Sequence, residues 1–485
     1  MLKLNADICA PHLQVIVNSI FESGIFPQEL KLADVTPIFK ANDATEEKNY
    51  RPISVLPAVS KIIERIIQRQ LGGYMDKYLS DYLCGYRKGY SAQHALVALI
   101  EKWKTSLDKK RYAGAVLMDL SKSFDCLNRD LLIAKLHAYG FSNASLKVIH
   151  SYLTNRWQRT KINISFSSWI ELLLGVPQGS VLGPLLFNIY LNDLFWITDE
   201  TGICNFADDT TYYDCDKNLD LLINRLECVS LKAITWFETN FMKLNEEKCH
   251  LIIAGHKFES VWAMIGESRI WESRREKLLG VYIDNDLNFK FHINQICIKA
   301  ERKVAALARM SRFISQKRRR LIAKTFIESQ FSYCPLVWMF HDRLVNKKIN
   351  RLHERTLRIV YHDYTATFNE LLERDKSYTI HQRNIQTLAI EMYKTKNNTN
   401  PNFMKDIFVE KRETGYTLRS SGTQDFESMN ILKVRTGENT LRYLGCKIWA
   451  LVPKKFKDDK SLYNFKKSIR KWKPLQCPCQ MCKVY

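Results

Sequence analysis

Acidic residues and long apolar runs are both scarce in this sequence. Its 485 residues include 51 Asp and Glu against 73 Lys and Arg, so the formal net charge is +22. Such a basic excess is unsuited to a basic partner and favours a polyanion, and we expect nucleic acid rather than a membrane. The hydrophobic content of 46% excludes a largely disordered chain and is sufficient for more than one packed core.

No stretch of the sequence is apolar for long enough to predict a membrane-spanning helix. The most apolar stretch, residues 180–197 (SVLGPLLFNIYLNDLFWI), is interrupted by Asn188, Asn192 and Asp193. A span requires about 20 mostly apolar residues. The pattern predicts a buried helix instead.

The sequence also lacks the marks of a secreted protein. It has no basic start followed by an apolar run and a small-residue cleavage site, and its 13 cysteines are an odd number. We therefore expect a reduced, intracellular protein, present in the cytoplasm and nucleus.

Three acids stand at the ends of strand-forming runs. Residues 113–120 (AGAVLMDL) predict a buried strand with Asp119 at its tip, and residues 203–213 (ICNFADDTTYY) predict a hairpin with Asp208 and Asp209 at its tip. A pair of acids at a turn is by itself typical of a solvated turn. Three carboxylates at one sheet edge would repel unless a divalent cation neutralised them, and hard oxygen ligands suit Mg²⁺. Two such ions would support an in-line phosphoryl displacement.

Other segments supply a framework around these acids. Apolar residues recur at helical spacing over residues 59–71, opposite a basic face, and Gly72 and Gly73 predict the end of that helix. GVPQGSVLGP, residues 175–184, predicts a tight turn that leads into the buried helix.

Together these segments resemble the reverse transcriptases of non-LTR retrotransposons, the LINE-type elements. The resemblance rests on NYRPISVL (residues 49–56), LMDLSKSFD (117–125), GVPQGS (175–180) and FADD (206–209), in the family order. It continues into WFETNFMKLNEEKC (236–249) and KLLGVYID (277–284), and so covers at least residues 1–290.

The resemblance implies an α+β, right-hand polymerase fold with fingers, a palm containing an antiparallel sheet, and a helical thumb. We expect the fingers at residues 1–110, the palm with interleaved fingers elements at 111–290 and a basic helical thumb at 291–365. Residues 366–485 are expected to form a C-terminal extension of unassigned role.

In this family Asp119, Asp208 and Asp209 correspond to the metal-binding catalytic triad, holding two Mg²⁺ ions with Mn²⁺ as a substitute. Phe124 stands where the family has an aromatic gate against the ribose 2′-hydroxyl; an ordinary core phenylalanine is the alternative. Asp125 is as well suited to capping a helix as to catalysis.

The resemblance also assigns residues to the incoming nucleotide. Gln178 and Gly179 would form a turn that the nucleotide approaches closely, with a purely structural turn as the alternative. Lys40 and Arg51 resemble the fingers residues that hold the triphosphate. Lys248 is the expected proton donor to pyrophosphate.

Some alternatives and departures remain. Lys243 competes with Lys248 for the role of proton donor. Ser123 replaces a common alanine, and Arg129 replaces a common histidine at a site that we expect to be peripheral.

A basic segment follows the palm. Residues 299–324 contain ten Lys or Arg and one acid, Glu301. A basic helical face would bind phosphates of a template–primer duplex without reading sequence, with a merely solvated face as the alternative. The nucleic-acid-binding residues predicted there are Lys317, Arg318, Arg319 and Arg320.

Cys477, Cys479 and Cys482 form a C-x-C-x₂-C array near the C-terminus. A closed zinc site normally has four Cys or His ligands, so three cysteines predict reduced thiols and argue against zinc. Cys446 or a partner protein would be the source of a fourth ligand if zinc did bind.

The predicted function is an RNA-directed DNA polymerase that uses an RNA template, which is the element RNA, a DNA primer and dNTPs. The start of the sequence resembles the fingers, so we expect it to leave no room for the endonuclease of full-length relatives, and residues 366–485 show no acid pattern that predicts a ribonuclease H domain. We therefore expect an N-terminally truncated product or a domain of a polyprotein. A catalytically inactive RNA-binding remnant is one alternative; an RNA-directed RNA polymerase is another, against which Phe124 and the GVPQGS turn argue.

Overall fold

A computed structural model describes residues 4–40, 43–121, 123–198, 201–256, 260–411, 425–432, 434–474 and 477–479. Its helices are α1 (Ala6–Ser23), α2 (Ala58–Met75), α3 (Ala92–Asp108), α4 (Arg129–Ala138), α5 (Asn143–Leu153), α6 (Gly183–Leu191), α7 (Leu219–Thr239), α8 (Lys290–Met310), α9 (Gln316–Ile322), α10 (Pro335–Trp338), α11 (Arg343–Tyr361), α12 (Phe368–Asp375), α13 (Ile380–Lys396), α14 (Met404–Ile407), α15 (Val434–Glu438), α16 (Leu441–Ala450), α17 (Lys454–Lys457) and α18 (Leu462–Ile469).

The strands alternate with these helices along most of the N-terminal half. They are β1 (Leu32–Phe39), β2 (Tyr50–Val55), β3 (Tyr112–Met118), β4 (Leu120–Ser121), β5 (Arg156–Ile162), β6 (Ser165–Phe166), β7 (Ile170–Leu172), β8 (Gly202–Phe206), β9 (Asp209–Asp216), β10 (Lys243–Leu244), β11 (His250–Ala254), β12 (Trp262–Ile265), β13 (Ser268–Trp271), β14 (Arg275–Leu278) and β15 (Val281–Asp284).

The central sheet has four antiparallel strands in the order β11-β3-β9-β8. Both of its faces are covered. Successive side chains of a strand point to opposite faces, so Ala115 and Leu117 of β3 join one core with α3, α8 and α13. Val116 and Met118 join a second core with α2, α6 and α7. Burial on both faces explains why β3 is an uninterrupted apolar run.

A second, mixed sheet lies on the N-terminal side. Strand β1 pairs antiparallel with β2 and parallel with β5, and β6 and β7 both pair with β5. Arg51 lies opposite Ile38 in the β1–β2 register, so this sheet carries Lys40 and Arg51 close together at one end.

Two of the predicted helices are present, and one of them extends beyond its predicted end. Helix α6 and the 3₁₀ turn after it lie where the interrupted apolar run predicted a buried helix. Helix α2, however, continues through Gly72 and Gly73 to Met75. Met75 is fully buried, and its packing offsets the poor helix propensity of two glycines, which is roughly 1 kcal/mol each.

The C-terminal residues share a core with the basic helices. Ile380 of α13, Trp449 of α16 and Phe465 of α18 belong to the same buried cluster as Val304 of α8 and Leu352 of α11. Across the part of the chain that the structure describes, no helix is both long and apolar enough to cross a membrane.

Candidate active site

The tip of the β8–β9 hairpin carries two of the predicted catalytic acids. Ala207 and Asp208 form the turn, and Asp209 begins β9 opposite Phe206. Ala207 has φ of +60°, a conformation that tight hairpin turns require. The hairpin predicted for FADD is therefore present, with its acids at the tip.

The buried amide of Asn205 holds this turn in place. Its Nδ2 donates to the carbonyl oxygens of Ala207 at 3.0 Å and Asp209 at 3.4 Å, and it lies 3.0 Å from Oγ1 of Thr210. The Asn205 side chain is fully buried, so these bonds fix the backbone on both sides of Asp208.

Strand β3 brings the third acid to the same edge. Its last residue, Met118, pairs with Thr210 of β9, so the antiparallel register places Asp119 beside Asp209. The backbone N–H of Asn245 donates to the Asp119 carbonyl oxygen at 2.9 Å. Three acids that are distant in sequence thus share one end of the central sheet.

The electrostatics of this edge are those of crowded carboxylates. Burial and then the charges of Asp208 and Asp119 raise the pKa of Asp209 to about 6. Burial also raises the pKa of Asp208, with a further contribution from Asp119. The positive charge of Lys40 opposes both shifts, which shows that this lysine lies close to the acids.

The three carboxylates suit a divalent cation in donor type and in charge. Carboxylate oxygens are the ligands that Mg²⁺ prefers, and a bound cation would relieve the repulsion that raises the pKa values. In the described structure their oxygens do not all come within 4.8 Å of one another. Nζ of Lys248 lies 3.2 Å from Oδ2 of Asp119 and places a positive charge beside this carboxylate.

Lys248, rather than Lys243, is the lysine in contact with Asp119. Lys243 is exposed in β10, opposite Ser121. Lys248 belongs to a 3₁₀ turn that places its ammonium group at Asp119.

Phe124 is one member of a group of three aromatic rings with Tyr86 and Phe187. Its ring stacks on Phe187 with 4.4 Å between centroids, and Tyr86 contacts its edge at 6.0 Å. The ring is only partly buried, and packing on two sides restricts its orientation.

Arg51 and Tyr86 complete the surroundings of the acids. The charge of Arg51 lowers the pKa of Asp208, opposing the burial that raises it. Burial raises the pKa of Tyr86, and the charges of Asp208 and Asp209 add to the shift. Tyr86 is half-exposed and was not anticipated from the sequence.

The GVPQGS turn connects the strand that carries Arg51 with the loop that carries Phe124. The Gln178 carbonyl oxygen accepts from Ser54 N–H at 2.8 Å. Gly179 has φ of +118°, and a Cβ there would lie 2.7 Å from the Ser54 carbonyl oxygen. On the other side, Val176 N–H donates to the Phe124 carbonyl oxygen at 3.1 Å. The close contact with β2 therefore requires glycine at position 179, whether or not a nucleotide binds there.

Residues 38–283 match the family model described as "Reverse transcriptase (RNA-dependent DNA polymerase)". The chain belongs to this family. This confirms the resemblance to reverse transcriptases of non-LTR, LINE-type elements and the α+β, right-hand polymerase fold.

Related proteins carry matching names. The chain is 26% identical over 320 residues to the RNA-directed DNA polymerase from mobile element jockey of Drosophila melanogaster, which covers 63% of this chain and 35% of that protein. It is 25% identical over 381 residues to the probable RNA-directed DNA polymerase from transposon X-element of the same species, covering 75% and 41%. The chain spans 35–41% of the length of these curated relatives.

Telomerases are among the solved structures that resemble the chain. Telomerase from Candida tropicalis, in complex with a fragment of telomeric RNA, is 11% identical with a TM-score of 0.42. The match covers 80% of this chain and 62% of that one.

The basic segment, residues 299–324, does not present all four predicted residues to solvent. Lys317 and Arg318 are exposed, but Arg319 is buried and donates to the carbonyl oxygens of Val360 at 2.9 Å and Ser311 at 3.0 Å. The prediction that Arg319 binds nucleic acid is therefore wrong, because its guanidinium joins α9 to the end of α11.

Arg320 also differs from the prediction. Its guanidinium donates to Glu328 and Asp375, each at 2.7 Å, and is only partly exposed. Two carboxylates already neutralise its charge, so Arg320 ties α9 to α12 rather than offering a free cation to phosphate.

Two residues support the GVPQGS turn and the residues just after it, and the sequence pattern does not predict either role. Glu64 is fully buried in α2, and its Oε2 accepts from the N–H groups of Val181 at 2.6 Å and Leu182 at 3.1 Å. Arg129, expected to be peripheral, is buried and donates to the Gly175 carbonyl oxygen at 3.2 Å. An acid on the apolar face of a predicted helix was the available signal for Glu64.

Gly85 is a further position that the sequence did not single out. It is buried against the FADD hairpin, and a Cβ on it would lie 2.3 Å from the Ala207 nitrogen. The preceding Leu83 forms a parallel bridge with Asn205. The segment before α3 therefore packs directly against the turn of the β8–β9 hairpin.

Proposed function

We propose that this chain is an RNA-directed DNA polymerase that adds dNTPs to the 3′-hydroxyl of a DNA primer, with element RNA as its template. The observation that carries the proposal is the gathering of Asp119, Asp208 and Asp209 at one sheet edge, where Lys40 and Arg51 act on their charges. Family membership supports the same reaction class.

The carboxylates of Asp119, Asp208 and Asp209 would hold two Mg²⁺ ions, with Mn²⁺ as a substitute. Cations bound in such sites activate a hydroxyl nucleophile and neutralise the charge of a leaving pyrophosphate. The pair formed by Asp119 and Lys248 keeps a proton donor at this edge, and we assign Lys248 Nζ to protonation of the pyrophosphate.

The remaining predicted residues orient the nucleotide. Lys40 and Arg51 bind the triphosphate as a point charge and as a planar bidentate donor. The turn of Gln178 and Gly179 positions the nucleotide between β2 and the Phe124 loop. Phe124, held by the ring of Phe187, meets the ribose and excludes a 2′-hydroxyl.

The proposed division follows these roles. Residues 1–110 act as fingers, 111–290 as the palm and 291–365 as the thumb, while 366–485 form an extension that packs on the thumb side. Lys317 and Arg318 would contact the duplex backbone. We place the activity inside the cell, in the cytoplasm and nucleus.

Primer extension on an RNA template tests the proposal. Wild-type protein should extend a DNA primer in the presence of Mg²⁺, and Asp208→Asn should abolish extension while leaving RNA binding intact. Asp406→Asn, which removes an exposed acid in α14, is the matched control and should extend normally. Binding without extension by folded wild-type protein would refute the proposal and favour an inactive RNA-binding remnant.

Sugar selectivity separates DNA from RNA synthesis. Phe124→Ala should reduce the preference for dNTP over NTP by roughly 10-fold or more, because the ring that crowds the 2′-hydroxyl is removed. Phe313→Ala, which removes an exposed ring in the basic segment, should leave the preference unchanged. Equal incorporation of both substrates by the wild type would contradict the assignment of Phe124.

A further inference from the structure

A second cluster of metal-ligating side chains lies outside the polymerase site. His381, near the start of α13, meets Cys477 and Cys479 of the C-terminal segment. His381 Nε2 is 3.3 Å from Cys479 Sγ and 3.8 Å from Cys477 Sγ, and all three ligand atoms lie within 4.8 Å of one another. Each side chain is at most 5% exposed.

The spacing of these atoms matches a tetrahedral zinc site. With Zn–S near 2.3 Å and Zn–N near 2.05 Å, tetrahedral geometry separates sulfur from nitrogen by about 3.6 Å. The two observed distances lie on either side of that value. Two thiols and an imidazole are also the donor set that zinc prefers over Mg²⁺.

The fourth ligand predicted from sequence is not the one that the structure offers. Cys446 donates from Sγ to the carbonyl oxygens of Glu427 at 3.0 Å and Arg442 at 3.2 Å, and it lies outside the cluster. Cys482 lies outside the described residues. The Cys446 thiol therefore forms its hydrogen bonds within α16 and with the loop that contains Glu427.

His341 is the better-placed residue among those described. It is 9% exposed and lies near enough to His381 and Cys479 for both to influence the pKa of its imidazole, although its ring nitrogens lie outside the group of atoms within 4.8 Å of one another. Its Nδ1 is 3.0 Å from the Trp338 carbonyl oxygen, whereas its Nε2 has no hydrogen-bond partner in the described structure. A backbone carbonyl on one ring nitrogen is the usual arrangement for a histidine that coordinates metal through the other.

We propose that Cys477, Cys479 and His381 bind a structural Zn²⁺ ion, with His341 moving in as the fourth ligand. The ion would join the C-terminal segment to α13 and to the segment after α10. These three elements border the same core, so zinc binding would add to the folding free energy of the extension. The C-terminal extension would then stabilise the fold, and this role is independent of the polymerase reaction.

Metal content of the full-length chain tests the proposal. Protein purified from zinc-supplemented cells and desalted should retain one zinc per chain by mass spectrometry. Cys477→Ser, Cys479→Ser and His381→Asn should each lose it. Cys446→Ser, which removes a buried thiol of the same lobe, should retain it.

Two further measurements use the wild type and so do not depend on the folding of variants. Removal of zinc by a chelator should lower the midpoint of thermal unfolding, and Co²⁺ reconstitution should give the thiolate charge-transfer absorption of a tetrahedral site. Folded wild-type protein that neither retains zinc nor shows this absorption would overturn the proposal. A disulfide between Cys477 and Cys479 in protein kept under reducing conditions would also overturn it.

The fourth ligand is tested separately. His341→Ala should weaken zinc retention during dialysis against a chelator, while Cys482→Ser should not. The opposite pattern would overturn the assignment of His341 and leave the other three ligands in place.

Discussion

Replacement of Gly85 by alanine tests whether the turn that carries Asp208 depends on close packing from outside the central sheet. The added Cβ would lie 2.3 Å from the nitrogen and 2.9 Å from the Cα of Ala207. Both atoms are backbone, so the contact cannot be relieved by rotation of a side chain. The turn that carries Asp208 must move instead.

The size of the effect follows from the displacement. An ordinary carbon contact requires about 3.4 Å or more, so the hairpin or the Gly85 segment must shift by about 1 Å. Overpacking of this kind costs about 1–3 kcal/mol of stability. A misplacement of about 1 Å in a catalytic group reduces the rate by ~100-fold. We therefore expect Gly85→Ala to lose most of its extension activity while still folding.

The assay is steady-state primer extension with varied Mg²⁺, alongside thermal unfolding. Gly73→Ala is the matched control, because Gly73 is exposed in α2 and a Cβ there meets nothing within 4 Å. It should be active and slightly more stable, by up to about 1 kcal/mol. If Gly85→Ala retains activity within about three-fold of the wild type, the packing argument is refuted.

Two other predictions concern charged groups. The pKa of Asp209, raised to about 6, means that the folded state binds its proton more tightly than the unfolded state. Without divalent cations the free energy of unfolding should therefore fall as pH rises from about 4 to 6. At pH 8, Asp209→Asn should be more stable than the wild type by about 1 kcal/mol after allowance for solvent screening. Equal urea midpoints for the two proteins at pH 8 would contradict this. Arg319→Ala should destabilise the chain by about 3 kcal/mol in urea and leave the salt dependence of RNA binding unchanged. Arg318→Ala should instead reduce the salt slope by about one with little loss of stability, and a reduced slope for Arg319→Ala would contradict its buried position.

Local pattern was sufficient for the elements that carry the acids. The apolar run before Asp119 predicts a strand because both faces of β3 are buried, and the FADD turn predicts a hairpin because strand formers flank it. Their order along the chain, together with GVPQGS, was specific enough to indicate the family.

Local pattern was insufficient where several similar residues compete. Residues 317–320 are all basic, and successive residues of a helix point about 100° apart, so four of them cannot share one exposed face. Charge alone does not identify which one is buried. The tertiary fold buries Arg319 because the carbonyl oxygen of Val360 accepts from it.

The sequence by itself therefore determined the family, the strand and hairpin that bear Asp119, Asp208 and Asp209, and the basic character of residues 299–324. Only the tertiary structure decided which residues hold these elements in place. Gly85 against Ala207, Glu64 under the GVPQGS turn and His381 beside Cys479 are contacts between residues about 100 or more positions apart. Such contacts depend on how helices and sheets pack. The periodicity of a single segment predicts which of its faces is buried, but it does not identify the element that packs against that face.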